Sequence, residues 1–359
     1  MAFNLIAESW LPIIRRDGLR EWIRPADITS QIANHPVVAV AWPRADFRVA
    51  CIEFLIGLIA TAYPPGRDEE AWIEGWYNPP SPEALDAALA PLAPAFDLDG
   101  PGARFLQDLE DLPGEPDTPE MLLIEAPGGN TRRKNTALLV KPDRVARLSR
   151  PAAAMALFTL QCYAPSGGRG NLTSLRGGGP LTTLAIPGIE PCSLWQLIWA
   201  NVPPWEKPRP AELPLIIPWL APTRTADKFP VTTPNQANRL QAFWGMPRRI
   251  RLDFAGNADN LPCDITGAVD AVIVTGWRQR PNGVKYAAWD HPLSPSYKDS
   301  KGIWYPVHPQ PGGIGYRHWV GLVVGDTEGT RRAAPCIADW HSRSADLPEI
   351  RDSRLLAAG

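Results

Sequence analysis

The chain has 359 residues, of which 45% are apolar and 21% are charged, and it contains 41 prolines, 29 glycines and 15 tryptophans. Disordered proteins lack such aromatic content, and a membrane span needs about 20 consecutive apolar residues, which this sequence does not have. The composition therefore predicts a globular, loop-rich protein with a sizeable core. The net charge is only -2, so any attraction to nucleic acid has to come from local basic clusters.

The cysteines and the N-terminus exclude further classes of protein. Five scattered cysteines form no CxxC pair and have no histidine at zinc-finger spacing, which argues against a metal site and a disulfide framework. They are Cys51, Cys162, Cys192, Cys263 and Cys336. The first ten residues have no basic region before an apolar one and include the acid Glu8, unlike a signal peptide. We therefore expect reduced thiols, no cofactor and a cytoplasmic location.

The first third of the chain predicts a β-hairpin followed by core helices. A strand-like run over residues 3–14 leads into residues 15–18, whose Asp-Gly pair is typical of a turn. Residues 46–62 have apolar side chains at helical spacing, and a further helix is predicted to start at Ser81. After an acidic segment rich in proline and glycine, residues 121–124 predict a short apolar strand.

Residues 130–150 form the strongest local charge asymmetry in the sequence, with one acid, Asp143, among seven basic side chains. The basic residues are Arg132, Arg133, Lys134, Lys141, Arg144, Arg147 and Arg150. Gly128, Gly129 and Asn130 come just before the cluster and predict a basic loop with a mobile start. Such a cluster is either a solvated charge run, which is the commoner case, or an arm that neutralises nucleic-acid phosphates.

A glycine-rich loop follows one helix later. Residues 151–161 predict an alanine-rich helix, and beyond its end lies the loop Ser166-Gly167-Gly168-Arg169-Gly170-Asn171. Glycine has no Cβ and leaves amide N–H groups accessible, so such a loop can approach a phosphate or a groove edge closely. An isolated glycine-rich turn more often only lets elements pack. Both interpretations stay open on the residues alone.

The rest of the chain alternates predicted strands and helices. The strands are residues 181–186, 250–254, 271–277 and 320–324, and the helices are residues 193–201 and a segment from Thr233 toward Trp244. No internal repeat or linker divides the sequence. The predicted fold class is therefore α/β, mixed, irregular and loop-rich, in a single large globular domain over residues 1–359.

The motifs of common catalytic classes are absent from the sequence. It contains no HExxH, GxSxG or GxxxxGK[ST] pattern, and its histidines show no paired metal-ligand spacing. The glycine-rich loop follows a helix, whereas dinucleotide and P-loop fingerprints connect a strand to a helix. We therefore expect no catalytic residue, no metal and no enzymatic activity. We interpret His291 and the tryptophans as structural residues.

Four stretches match motifs of one known family. They are Asn4-Leu5-Ile6 with Trp10-Leu11-Pro12; residues 126–131 with Lys134-Asn135-Thr136; residues 156–161 running through 164–168 to 174–183; and Trp289 with residues 291–295. The third stretch is long and specific. In this combination the chain resembles the CasA family, the large subunits of the type I-E CRISPR surveillance complex Cascade, over nearly its whole length. The resemblance implies the mixed α/β fold of that subunit's N-terminal domain.

The resemblance also implies roles for the two loops. The loop that corresponds to Asn130, Thr131, Arg132, Arg133, Lys134 and Asn135 touches the 5′ handle of the guide RNA (crRNA) and neighbouring subunits in that family. The loop that corresponds to residues 166–171 lies in the minor groove of the target duplex at the PAM, the short DNA motif beside the target. A basic finger enters the same groove, and its counterpart is residues 277–281, with Arg280 as the best match and Arg278 as the alternative.

As a CasA relative, the chain would be a non-catalytic subunit that recognises the PAM and licenses R-loop formation. Because the minor groove distinguishes A·T from G·C poorly, we expect tolerance of several PAM sequences. The implied partners are the backbone, 5′-handle-binding and small subunits of Cascade, crRNA, double-stranded target DNA and a recruited helicase-nuclease. No membrane contact is implied.

The sequence departs from the family pattern in two respects. It has no cysteine pair ahead of the alanine-rich helix, and it stops at Gly359, about where relatives enter the wedge that parts the duplex. We therefore expect the wedge and the C-terminal helical bundle to be absent. Two competing hypotheses stay open: an enzyme that holds a nucleotide phosphate in the glycine-rich loop, and an adaptor that binds guide RNA and neighbouring subunits without reading DNA.

Overall fold

The computed structural model describes residues 2–137, 140–168, 170–310, 312–315, 318–326, 328–350 and 352–359. Within these residues the helices are α1 (Ala45–Ala62), α2 (Glu69–Tyr77), α3 (Pro82–Leu89), α4 (Gly129–Arg133), α5 (Arg150–Tyr163), α6 (Leu194–Asn201), α7 (Leu213–Ile216), α8 (Trp319–Val323) and α9 (Pro335–Ser344). The strands are β1 (Leu11–Arg15), β2 (Arg20–Ile23), β3 (Val37–Val40), β4 (Leu148–Ser149), β5 (Thr182–Ile186), β6 (Arg249–Gly256), β7 (Val272–Arg280), β8 (Ser296–Lys298), β9 (Trp304–Pro306), β10 (Arg331–Arg332) and β11 (Arg354–Ala358).

The predicted N-terminal hairpin is present. Strands β1 and β2 pair in antiparallel fashion, β3 adds to the other side of β1, and Gly18 in the connecting turn has a φ of +90°. The first strand is shorter than predicted because the side chain of Asn4 accepts hydrogen bonds from the N–H groups of Ile6 and Ala7. This local turn competes with extended structure.

Helices α1 and α5 lie at the centre of the core. Both were predicted from the sequence. α1 is apolar nearly all round and buried along most of its length, which is typical of a helix enclosed by other elements. α5 starts where the hydroxyl of Ser149 accepts a hydrogen bond from the N–H of Ala152, as at other serine N-caps. The ring of Phe54 joins the two helices, since it packs edge-to-face on Phe158 with ring centroids 5.4 Å apart.

In the described ranges, four small antiparallel sheets surround this core. Their strand orders are β2-β1-β3, β4-β7-β6, β10-β8-β9 and β11-β5. In the sheet β4-β7-β6 the central strand β7 contains most of the predicted basic finger. Residues Arg249 and Arg251 of β6 pair directly with Arg280 and Arg278 of β7. This arrangement of helices and short sheets confirms the predicted mixed, irregular and loop-rich α/β fold.

Three element predictions were wrong. Residues 121–124 do not form a strand, because the chain makes a 3-10 helical turn over Pro119–Leu122 in which buried Glu120 accepts from the N–H groups of Asp143 and Arg144. Residues 320–324 belong mainly to helix α8, since a short apolar run alone does not separate strand from helix. The predicted helix from Thr233 consists of two separate 3-10 turns, Pro234–Gln236 and Arg239–Phe243.

Candidate nucleic-acid interface

The glycine-rich loop leaves the end of α5 in a backbone conformation that requires glycine. Gly168 and Gly170 have φ values of +85° and +82°, which other residues adopt only with strain. The N–H of Asn171 donates to the carbonyl of Gly168 over 3.1 Å and closes a turn at the tip. A Cβ at Gly168 would meet no described atom within 4 Å, so this side of the loop is open. Arg169, also predicted for this site, lies outside the described residues.

The loop meets the basic finger at the end of β7. The N–H of Asn282 donates to the carbonyl of Gly170 over 2.9 Å. A Cβ at Gly170 would lie 2.3 Å from the Cβ of Pro281, a distance at which only glycine fits. The fold therefore brings into direct contact two segments that are far apart in the sequence and that the resemblance assigns to one groove.

The two finger arginines have different environments. Arg278 forms an ion pair with Asp253 and donates from Nε to the carbonyl of Gly114 over 2.9 Å. Arg280 is exposed, and its side chain forms no hydrogen bond or ion pair within the described part of the chain. The charge of Arg280 is thus available to a ligand, whereas that of Arg278 is already engaged. This difference favours Arg280 as the ligand-binding residue of the finger.

Two residues without a predicted role hold the loop on the fold. Arg248 donates from Nη2 to the carbonyl of Pro165 over 2.6 Å and from Nε to the carbonyl of Leu172 over 3.3 Å, so it binds both ends of the loop. Gln161, in the last turn of α5, donates to the carbonyl of Arg248 over 2.9 Å and accepts from its N–H over 3.1 Å. Gln161 lies in a matched motif, but no spacing pattern links it to Arg248.

The second loop, predicted over residues 130–135, contains the end of the short helix α4. The N–H of Asn135 donates to the carbonyl of Arg132 over 2.9 Å, and Asn135 itself has a φ of +49°. Asparagine adopts this left-handed conformation more readily than most residues, which suits the end of a helix. The carbonyl of Thr131 accepts from the N–H of Thr136 over 3.0 Å. The side chain of Asn130 lies outside the described residues.

The cations of this second loop point toward solvent. Arg132, Arg133 and Lys134 are all exposed. Nη1 of Arg132 is 3.9 Å from Oδ1 of Asp117, and an ion pair this long between partly exposed groups contributes little to stability. The loop therefore presents a cluster of positive charge whose described carboxylate contact is weak.

Strand β7 connects the two loops. Asp117, the residue beside Arg132, exchanges backbone hydrogen bonds of 2.8 and 3.1 Å with Trp277. Pro281, the residue against Gly170, follows four positions later in the chain, which corresponds to roughly 13 Å of extended backbone. The two predicted contact loops thus lie near the two ends of one short segment of chain.

A buried charge network anchors the segment that follows the glycine-rich loop. Nη2 of Arg176 lies 2.7 Å from Oε1 of Glu53 on α1, and Tyr163 donates to the other carboxylate oxygen over 2.7 Å. Burial raises the pKa of Glu53, but Arg176, His291 and Tyr163 together lower that pKa to about 2. His291 has its Nε2 3.5 Å from Oε1 of Glu53, and burial together with Arg176 lowers its pKa to about 4. These residues hold the matched motifs to the core.

The described residues contain neither a metal-binding cluster nor a membrane helix. No group of three or more His, Cys, Asp or Glu side chains among them is arranged to hold a metal ion. No helix in the described ranges is long and apolar enough to cross a bilayer.

Comparisons with known proteins identify the fold. The solved structure of Thermus thermophilus CasA (Cse1) matches with a TM-score of 0.70 at 19% identity, over 100% of this chain and 72% of that one. Thermobifida fusca Cse1 matches with a TM-score of 0.69 at 20% identity, over 97% of this chain and 67% of that one. A chain of a structure called CRISPR RNA-guided surveillance complex matches with a TM-score of 0.67 at 17% identity, over 100% of this chain and 72% of that one.

The family follows from a sequence model rather than from these distant structures. The model described as CRISPR-associated protein Cse1 matches residues 4–359, and the solved Thermus protein shows that Cse1 and CasA are two names for one family. The resemblance drawn from the sequence motifs is therefore confirmed: this chain belongs to the CRISPR-associated protein Cse1 family.

Proposed function

We propose that this chain is a non-catalytic subunit of a type I-E CRISPR surveillance complex, in which it binds the target duplex at the PAM and licenses R-loop formation. Membership of the family, and the shared fold with a chain of an RNA-guided surveillance complex, support its place in such a complex. The observation that carries the DNA-binding part is the contact between Gly170 and Asn282, which joins the glycine-rich loop to the finger of Arg280.

This combination suits a minor groove. The groove is only about 6 Å wide, so a backbone without side chains enters it more easily than a helix does. Gly168 has open space at its Cβ position, and Arg280 provides a positive charge beside the same loop. Arginine is favoured in a narrow minor groove because the negative potential is strongest there. Readout in this groove separates base pairs poorly, which fits recognition of several PAM sequences.

The second loop serves assembly in this proposal. Arg132, Arg133 and Lys134 bind phosphates of the crRNA 5′ handle and contact the subunits at that end of the complex, which include the backbone, 5′-handle-binding and small subunits. Exposed cations on a loop neutralise phosphates and release counterions, so this contact weakens as salt rises. Recruitment of a helicase-nuclease and a cytoplasmic location belong to the same proposal on family grounds.

The test is duplex binding by the reconstituted guide complex with and without this chain. The targets differ only in the PAM, and each is measured at two salt concentrations. The proposal expects tighter binding of PAM-containing duplex when the chain is present. A chain that joins the complex but leaves binding independent of the PAM would instead be an adaptor.

A separate experiment tests the competing hypothesis that the glycine-rich loop binds a nucleotide. Nucleotide that binds the native state raises the melting temperature of the isolated protein. We expect no such shift with nucleoside triphosphates, because the glycine-rich loop follows a helix and lies against Pro281. A concentration-dependent shift that Gly168→Asp abolishes would support the enzyme hypothesis instead.

A further inference from the structure

Arg248 is a buried cation without a carboxylate partner. The described residues contain four buried arginines, Arg15, Arg176, Arg248 and Arg249. Glu21, Glu53 and Asp108 form ion pairs with the other three, whereas no described carboxylate lies within 4.0 Å of a nitrogen of Arg248. Burial alone lowers the pKa of Arg248.

Such a charge is costly unless something offsets it. Buried charges in proteins are usually paired, and an uncompensated one destabilises the fold by several kcal/mol. The carbonyls of Pro165 and Leu172 accept hydrogen bonds from Nη2 and Nε of Arg248, but carbonyl dipoles do not neutralise its charge. A binding site for an anion at this position would explain the missing carboxylate.

The surroundings of Arg248 show where the anion would bind. Nη2 lies 2.9 Å from the position that a Cβ of Gly167 would occupy, so the guanidinium is directly behind the loop. In the described part of the chain, the amides of Gly167 and Gly168 donate to no backbone carbonyl. A cation behind two available amides is a suitable environment for a phosphate oxygen.

Arg248 also contacts the finger side of the interface. A Cβ on Gly283, two residues after Pro281, would lie 3.0 Å from the Cα of Arg248 and 2.0 Å from the carbonyl oxygen of Pro247. The backbone just after the finger therefore packs against the residue whose side chain binds both ends of the loop. Arg248 thus joins the two elements of the candidate interface.

We propose that Arg248 is a positioning residue for duplex recognition: it holds the glycine-rich loop against the finger, and a backbone phosphate of the bound duplex supplies its missing counter-ion. This inference rests on the proposed function. It adds a residue that acts from behind the loop, through the loop's conformation and through its unneutralised charge.

The test compares Arg248→Met, which removes the charge at similar size, with Arg248→Lys, which keeps the charge but loses the fork that binds two carbonyls. The control is Arg343→Met, because Arg343 is a half-buried arginine that donates to the carbonyl of Val202, which belongs to neither loop. Each chain is assembled into the guide complex, and binding of PAM-containing duplex is measured at low and high salt. Thermal unfolding of each isolated chain shows whether the variant is folded.

We expect Arg248→Met to bind duplex about tenfold more weakly at low salt, as loss of one charge near a phosphate predicts, and to assemble normally. The deficit should shrink at high salt because the lost attraction is screened. Arg248→Lys should recover part of the affinity, and Arg343→Met should bind like the unmodified chain.

Two results would overturn the inference. One is an Arg248→Met complex that binds duplex as tightly as the unmodified complex. The other is a deficit that is equal at both salt concentrations and equally large in Arg248→Lys, since that pattern would indicate a purely structural role. If the unmodified chain itself gives no PAM-dependent binding, the proposed function fails instead, and the two failures are thereby distinguished.

Discussion

The guanidinium of Arg176 and the carboxylate of Glu53 form a 2.7 Å ion pair in which both side chains are almost completely buried, at 2% and 0% exposure. The pair connects helix α1 to the segment that follows the glycine-rich loop. Nη1 of Arg176 also donates to the hydroxyls of Thr182 and Ser294 over 3.0 and 3.2 Å. The position of this segment therefore depends on a charge that has no access to water.

Breaking this pair should destabilise the protein strongly. Removal of one partner of a buried ion pair leaves the other uncompensated, which typically costs about 3–5 kcal/mol. We expect this loss of unfolding free energy for Arg176→Met and for Glu53→Gln, measured by urea denaturation. The double variant should lose less than the sum of the two single variants, because neither charge is then left alone. Additive losses would contradict an energetic coupling between the two residues.

His291 should make stability depend on pH below neutrality. Its pKa in the folded protein is lowered from 6.5 to about 4, so between these values the unfolded chain binds the extra proton. Stability therefore falls as the pH is lowered from about 6.5 to about 4. Glu53, whose pKa is lowered from 4.5 to about 2, acts in the same direction below pH 4.5.

A substitution of His291 should isolate the contribution of this residue to the pH dependence of stability. The Nδ1 atom accepts a hydrogen bond from the N–H of Leu293 over 3.1 Å, so the neutral ring carries its proton on Nε2, toward Glu53. We expect His291→Gln to reduce the slope of unfolding free energy between pH 6.5 and 4. The control His341→Gln, at an exposed position of α9, should leave the slope unchanged. Equal slopes for all three proteins would show that His291 does not titrate in this range.

Gly170 and Gly168 provide a matched pair of substitutions. Both have positive φ, so alanine should cost roughly 1–2 kcal/mol of backbone strain at either position. At Gly170 the new Cβ would also meet Pro281 at 2.3 Å, whereas at Gly168 it would meet no described atom within 4 Å. We therefore expect Gly170→Ala to lower the melting temperature more than Gly168→Ala. Equal melting temperatures would argue against the contact between loop and finger.

Substitutions of Arg280 and Arg278 should affect duplex binding and protein stability separately. Arg280→Ala should weaken binding of PAM-containing duplex roughly tenfold and leave stability unchanged, because the Arg280 side chain has no partner among the described residues. Arg278→Ala should lower stability by less than about 1 kcal/mol, since its ion pair with Asp253 is partly exposed, and should bind duplex nearly normally. Duplex titration of the guide complex and urea denaturation give the two readouts. If Arg278→Ala weakened duplex binding and Arg280→Ala lowered stability, the roles assigned to the two arginines would have to be exchanged.

Substitutions in the second loop should weaken assembly of the guide complex rather than DNA recognition. The triple change of Arg132, Arg133 and Lys134 to Ala should weaken binding of this chain to the rest of the guide complex. If these residues bind RNA phosphates, the slope of log affinity against log salt should decrease in magnitude by about 0.7 for each lost contact. Once saturated with the variant chain, the complex should still distinguish PAM sequences. Loss of PAM discrimination at full occupancy would contradict the assignment of this loop.

Local sequence patterns predicted those elements whose causes are local. Helices α5 and α6 begin at Ser149 and Ser193, whose hydroxyls accept hydrogen bonds from the third residue that follows. The strand predicted over residues 121–124 failed for a non-local reason, because Glu120 accepts hydrogen bonds from backbone groups more than 20 residues away. A window as short as the predicted strand does not contain both partners of that interaction.

The candidate interface was predicted only in parts. Family motifs indicated the two loops and the finger, but the hydrogen bond between Asn282 and Gly170 depends on how β7 passes the end of α5. Gln161 and Arg248 were missed as a pair for the same reason, since each is unremarkable in its own segment. Likewise, the ion pair that distinguishes Arg278 from Arg280 depends on the position of Asp253 on the neighbouring strand.

Because Asp117 and Trp277 exchange backbone hydrogen bonds, the last residues of β7 set the distance between the two loops. One end of the finger segment pairs with Asp117, which lies beside Arg132 of the loop proposed to hold guide RNA, and the other end contacts the loop proposed to hold DNA. The separation of the two nucleic acids at this end of the complex would then be set by four residues of extended backbone rather than by either loop. A bulge introduced between Trp277 and Pro281 would change the distance between the two loops and so shift the PAM relative to the guide.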